Sequence, residues 1–122
     1  MKVLLVEDEA NARDVYSRLL ECDGHDVVAV GGAEAAMAAI DAQAFDAALI
    51  DIALGELDGY AVLGHLKRHQ PGVRAVVMTA YDVPDASRRP GAAAADAFLA
   101  KPLRWSEARA AIAPPPRECP HP

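Results

Sequence analysis

The chain has 122 residues, 52% of them hydrophobic and 25% charged, with a formal net charge of −6. That length suits one compact domain with a real core, and the composition excludes a disordered or collagen-like chain. The acidic balance argues against direct nucleic-acid binding, because phosphate backbones are met by Lys and Arg clusters. Met1-Lys2 leads straight into a strand-like run too short for a signal peptide, and no apolar stretch is long enough to span a bilayer. Two cysteines, Cys22 and Cys119, offer neither a disulfide framework nor a metal-binding spacing. These features predict a cytoplasmic domain without membrane contact.

The first apolar run is Val3-Leu4-Leu5-Val6, and others follow at 27–30, 47–50, 73–78 and 97–99. Uninterrupted runs of this kind suit strands covered on both faces, as in parallel sheets. Between the first two runs, Ala12, Val15, Tyr16, Leu19 and Leu20 fall on one helical face. After the Gly31-Gly32 turn, Ala33, Ala36, Met37 and Ile40 repeat that spacing. Val62, Leu63 and Leu66 mark a third helix, stopped at Gln70-Pro71-Gly72. A fourth helix is expected between Pro84 and Ala95, but Pro90-Gly91 inside it removes a backbone donor and makes it short, kinked or irregular. A fifth runs from about Leu103 to Ala113. Residues 1–113 are thus expected to form one domain, and 114–122 an extended proline-rich tail or linker. Five alternations of strand and helix predict an α/β fold, a flavodoxin-like (βα)5 doubly wound parallel sheet with strand order 2-1-3-4-5.

In such sheets ligands bind beyond the carboxyl ends of the strands. Glu7 and Asp8 follow the first strand, Asp51 ends the third, Thr79 follows the fourth and Lys101 the fifth. Adjacent first and third strands bring Asp8 and Asp51 together. Carboxylates gathered at one mouth repel each other unless a cation joins them, and oxygen donors of this type suit Mg²⁺. Polar residues at strand ends are common in any one case; five compatible positions together favour function.

Leu4-Leu5-Val6-Glu7-Asp8-Glu9, Asp51 with Asp58-Gly59, Met78-Thr79-Ala80 and Phe98-Leu99-Ala100-Lys101-Pro102 together resemble the receiver domain of two-component response regulators, and are similar to stand-alone chemotaxis-type receivers. The resemblance covers roughly Lys2 to Ala113. It implies that Asp51 is the phospho-acceptor for a sensor histidine kinase or phosphotransfer protein. It implies Mg²⁺ held by Asp8, Asp51 and the backbone carbonyl of Ala53, with Glu7 direct or through water. Lys101 and Thr79 would meet the phosphoryl oxygens, with a cis bond before Pro102. Thr79 and Phe98 would act as the switch, altering a downstream partner's affinity for the face made by the fourth helix, fifth strand and fifth helix. Such a domain is a signalling module rather than an enzyme, assisting only its own phosphoryl transfer and hydrolysis. A receiver-like interaction domain acting without phosphorylation is the alternative.

Some features depart from the family pattern or lie outside it. Ala94-Ala95-Asp96 stands where receivers usually have Gly-Ala-Asp, and alanine resists a left-handed conformation by about 1 kcal/mol. The resemblance places Ala53 and Tyr81 at positions that in receivers influence access of attacking water. Trp105, with Arg104 and Arg109, is either a binding anchor on the output face or an amphipathic surface residue. His65 and His69 are spaced i, i+4, but no third metal ligand is evident nearby and a solvated helix face is expected. Arg88-Arg89 reads as surface charge. Two other chemistries fail on the residues. A flavin site after the first strand would be repelled by Glu7-Asp8-Glu9, and a haloacid-dehalogenase-type hydrolase would need a second acid where Asp51-Ile52-Ala53 has none.

Overall fold

The computed structural model of the chain describes residues 1–52, 59–79 and 94–112. Ala53, Asp58, Tyr81, Arg88-Arg89, Pro90-Gly91 and the 114–122 segment fall outside them. So does almost all of the fourth helix expected from the sequence.

The described elements are β1 (Lys2–Val6), α1 (Ala10–Cys22), β2 (Asp26–Val30), α2 (Ala33–Ala42), β3 (Ala47–Asp51), α3 (Gly59–His69), β4 (Arg74–Thr79), β5 (Ala97–Ala100) and α4 (Trp105–Ile112). The helix read as fifth in the sequence is therefore α4 here. All strand pairs are parallel, in the order β2-β1-β3-β4-β5. That is the expected flavodoxin-like arrangement.

Strand alternation divides the core between two faces. Leu4, Val6, Ala48, Ile50, Ala75 and Val77 pack with Ala36 and Ile40 of α2 and Val62, Leu63 and Leu66 of α3. On the other face Val3, Leu5, Leu49, Val76 and Met78 pack with Leu20 of α1 and with Ala108 and Ile112 of α4. Each fully buried leucine contributes roughly 1.5–3 kcal/mol. No described helix is long and apolar enough to cross a membrane.

Past Lys2 and Arg74 at their starts, the central strands are buried throughout, as their unbroken apolar runs require. The run in β2 behaves differently. It lies at the sheet edge, with Ala29 exposed and Val27, Val28 and Val30 half-buried. Val15, predicted on the inner face of α1, is 52% exposed. The helix turns only part of that stripe onto the sheet, and Leu20 is its one buried residue.

Local capping explains where α1 starts and stops. The Glu9 carboxylate accepts hydrogen bonds from the Asn11 and Ala12 backbone N–H groups, covering two donors with no partner inside the helix. Gly24 follows the helix with φ +90°, and its N–H donates to Glu21 O at 2.9 Å. Gln70 does more than stop α3. Its side-chain amide donates to Ile40 O (2.8 Å) and Gln43 O (2.6 Å) and accepts from Phe45 N–H (2.8 Å). The ends of α2 and α3 are thereby tied together.

Candidate functional site

The carboxyl edge of the sheet is built by extending its own ladders. Glu7 N–H donates to Val30 O, and Ile52 N–H donates to Met78 O just past Asp51. Lys101 N–H donates to Thr79 O at 2.7 Å. Because β1 is hydrogen-bonded to β3, with Val6 opposite Ile50, the residues that follow these strands meet at one mouth. Carboxylate oxygens of Glu7, Asp8 and Asp51 all lie within 4.8 Å of one another.

Lys101 enters this cluster from the end of β5. Its Nζ donates to Glu7 Oε1 (2.8 Å), Glu7 Oε2 (3.0 Å) and Asp51 Oδ2 (2.8 Å). The Lys101–Pro102 peptide bond is cis. Glu7, Asp51 and Thr79 are buried, whereas Asp8 is exposed. Phe98 is half-buried, packed with Ala94 and Ala95 against the core on the α2–α3 face. Ala94 meets no left-handed penalty, since no described residue other than glycine has a positive φ.

Glu7 has its pKa pushed up to about 7. Burial is the main cause and the neighbouring Asp51 carboxyl adds to it, while Lys101 only partly offsets them. Lys101 is itself raised; burial opposes its charge, but its hydrogen bonds to Asp51 and Glu7 outweigh that. Three carboxylates against one ammonium leave two negative charges when all are ionised. The cluster therefore has too little positive charge, and its donors are all oxygen. That fits a hard divalent cation such as Mg²⁺.

Sequence reasoning missed one support of this mouth. Gly59 N–H donates to Ile52 O at 2.8 Å. A Cβ on Gly59 would lie 2.6 Å from Ile52 Cα and would also strike the Asp51 carbonyl oxygen. Only glycine lets α3 begin so close to the strand that carries Asp51. The Asp58-Gly59 pair was visible, but the reason for it lies in a tertiary contact. Nearby, the Tyr16 ring stacks on Trp105 with centroids 6.3 Å apart. Burial raises the Tyr16 pKa, with Lys101, Glu7 and Asp51 close enough to modulate it.

Trp105 itself is held within the fold. Its indole N–H donates to Asp23 Oδ2 at 2.8 Å, and Arg109 Nε donates to the same oxygen at 3.1 Å. Those two bonds, the one from Arg109 foremost, hold the Asp23 carboxyl below its usual range.

Residues 3–113 match the family model described as the response regulator receiver domain. The chain belongs to that family. This receiver is 36% identical over 111 residues to the response regulator protein FleR of Pseudomonas aeruginosa, covering 91% of the chain and 23% of FleR. It is 38% identical over 116 residues to the sensor histidine kinase AruS of the same organism, covering 92% of the chain and 12% of AruS. The receiver thus spans a quarter or less of either relative. Among solved structures it is similar to a Burkholderia pseudomallei response regulator with a phosphorylated aspartic acid, calcium ion and citrate (TM-score 0.83, 26% identity, 93% of this chain and 66% of that one). It is also similar to the receiver domain of the sensor histidine kinase PA1611 from Pseudomonas aeruginosa, with magnesium in its active-site cleft (TM-score 0.80, 28% identity, 91% and 93% covered).

Proposed function

We propose that Asp51 accepts a phosphoryl group from the phosphohistidine of a sensor kinase or phosphotransfer protein, and that this switches the receiver's affinity for a downstream protein partner. The observation that carries the reading is Lys101 Nζ bridging Glu7 and Asp51, with Asp8 at the same mouth. The phosphorylated aspartate and the metal ions reported in the relatives support it.

An Asp51 carboxylate oxygen attacks phosphorus in line; the donor's P–N bond breaks and its electron pair returns to the imidazole. Lys101 gives up part of its hydrogen bonding to Glu7 and pairs with a phosphoryl oxygen as a point charge. The Thr79 hydroxyl serves another oxygen. Asp8, Asp51 and the Ala53 carbonyl are the residues to hold Mg²⁺, with Glu7 joining directly or through water. When bound there, Mg²⁺ would supply positive charge to neutralise the transferred group. The acyl phosphate places about −1.5 to −2 charge at the mouth. Thr79 moves toward it, and Phe98 turns into the space released beside β4. The changed surface comprises the helix expected between Pro84 and Ala95 together with β5 and α4, and a protein partner reads it in the cytoplasm.

Incubation with Mg²⁺ and acetyl phosphate followed by intact mass measurement tests the reading. Wild type should gain one phosphoryl group, and Asp51→Asn or chelation of Mg²⁺ should abolish the gain. A wild type that stays unmodified would instead make this a partner-binding domain that works without phosphate.

A further inference from the structure

His65 and His69 project from α3 toward the end of α2, where Asp41 supplies the third donor that their sequence neighbourhood lacks. We propose that Asp41, His65 and His69 form a second metal site, selective for a zinc-class divalent transition ion. This site is separate from the oxygen-only cluster around Asp51 and does not depend on the phosphorylation reading.

The geometry is close to what such an ion needs. His65 Nε2 is 2.8 Å from Asp41 Oδ1, and His69 Nε2 is 4.0 Å from the same oxygen. One ligand atom from each residue falls within 4.8 Å of the others. A tetrahedral ion with ligands at 2.0–2.1 Å keeps its donors about 3.3 Å apart, between the two measured spacings. The imidazole rings face each other with centroids 4.2 Å apart and planes inclined by 31°.

The protonation pattern suits a ligand role as well. His69 Nδ1 lies 2.9 Å from the backbone carbonyl oxygen of His65, so Nδ1 carries the proton and donates it there. In the neutral ring this leaves the Nε2 lone pair for the ion, the arrangement found for metal-bound histidines whose other nitrogen donates to a carbonyl. At His65 the ion replaces the proton now shared between Nε2 and Asp41, and that proton leaves to solvent or moves to Nδ1.

The scaffold is rigid and the face is open. Gln70, directly after α3, donates to Ile40 O in the last turn of α2 and bonds Gln43 and Phe45 just beyond it, so Asp41 is held opposite the two rings. The His65 side chain is 17% exposed, whereas Asp41 and His69 are 56% and 50% exposed. An open groove of about 390 Å³, lined in part by Asp41, Gln43, His69 and Gln70, adjoins the cluster and leaves space for a water as fourth ligand. Along α3, His65 and His69 lie six and ten residues past Gly59, roughly 9 and 15 Å from the end that packs on Asp51. Nitrogen donors here and all-oxygen donors there sort borderline ions from Mg²⁺. A bound ion would staple α2 to α3.

Calorimetric titration of the whole chain with Zn²⁺, in Mg²⁺ excess, tests the site. Wild type should bind one equivalent, and His69→Ala and Asp41→Ala should each weaken binding tenfold or more. Asp51→Asn should bind Zn²⁺ as wild type does. Zn²⁺ should also raise the wild-type Tm by several degrees, with no rise in His69→Ala. Phosphorylation by acetyl phosphate with Mg²⁺ should be the same in His69→Ala and wild type, showing the variant folded. No binding by wild type, weakening of less than tenfold in the two ligand variants, or loss on Asp51→Asn alone would each overturn the site.

Discussion

Lys101 Nζ lies 2.8 Å from Asp51 Oδ2, across the gap between β5 and β3 that β4 separates. Glu7 holds the same ammonium at 2.8 and 3.0 Å, so one cation serves two buried carboxylates. On the proposed reading, phosphorylation of Asp51 would add charge on one side of that balance and draw the ammonium toward it. Lys101→Ala removes a fixed positive group from the transferred phosphoryl's surroundings. The rate of phosphorylation by acetyl phosphate should fall about 100-fold, by analogy with loss of one preorganised donor. Lys101→Arg should restore little, since a planar fork does not replace a point charge between two carboxylates. Time-resolved intact mass measurement reads both, and a wild-type rate in Lys101→Ala would exclude direct pairing.

The raised pKa of Glu7 makes stability depend on pH. Its folded value of about 7 stands above the ordinary 4.5, so the folded state binds the proton more tightly. The resulting stabilisation is complete below pH 4.5 and is lost as pH rises through 7. The loss is bounded by about 3–4 kcal/mol, since each tenfold gain in proton affinity corresponds to about 1.4 kcal/mol. Urea unfolding in the presence of a chelator should give a midpoint that falls between about pH 5 and 8, and Glu7→Gln should flatten that slope. Saturating Mg²⁺ should also flatten it. A slope of equal size in Glu7→Gln would assign the effect to another group.

Much of this architecture is legible in the residues, for definite physical reasons. Unbroken apolar runs identify β1, β3 and β4 because both their faces are covered, and the polar residues that end those runs mark the mouth of the sheet. The same argument misjudges β2, since a valine-rich run looks alike at the centre and at the edge. Helical period puts Val15 on the stripe with Leu20, yet it cannot say how wide a stripe the sheet covers. Asp41 stands 24 residues from His65 and joins it only through the packing of α2 on α3. Trp105 reads as either a binding anchor or an amphipathic surface residue until Asp23, from the end of α1, takes its indole N–H. Pairings of that kind depend on which helices become neighbours, and residue spacing carries no trace of them.

Asp96 offers a second pH test, far from the mouth. Its carboxylate accepts from Ala75 N–H at 2.7 Å and from Lys67 Nζ at 2.9 Å, joining the entry of β5 to β4 and α3. Burial opposes its ionisation, but those two bonds win and its pKa is lowered. The contribution is therefore present above the ordinary 3.8 and disappears as pH falls through the lower folded value. With 37% of the side chain exposed, solvent screening limits the effect to about 1 kcal/mol. Asp96→Asn should lower the urea midpoint at pH 7, and the gap to wild type should close below about pH 4. A gap independent of pH would mean that shape, not charge, is what Asp96 provides.

Two glycines in α3 should respond in opposite directions. At Gly64 an added Cβ meets only the end of the Arg68 side chain, at 3.4 Å, which a flexible group can accommodate. Gly64→Ala should therefore gain the helix preference of alanine, roughly 0.5–1 kcal/mol. At Gly59 the added carbon meets backbone, 2.6 Å from Ile52 Cα, and backbone in a packed sheet cannot turn aside. The same propensity gain is then outweighed, and overpacking should leave Gly59→Ala destabilised by about 2 kcal/mol. Either α3 retreats or the end of β3 shifts, and the second course moves Asp51 away from Lys101. Phosphorylation by acetyl phosphate should accordingly slow in Gly59→Ala and stay at the wild-type rate in Gly64→Ala. Guanidinium unfolding with an unchanged slope, read beside the phosphorylation rate, separates the two effects. Equal and same-signed changes in both variants would mean that the close approach of α3 to the strand carrying Asp51 has no energetic weight.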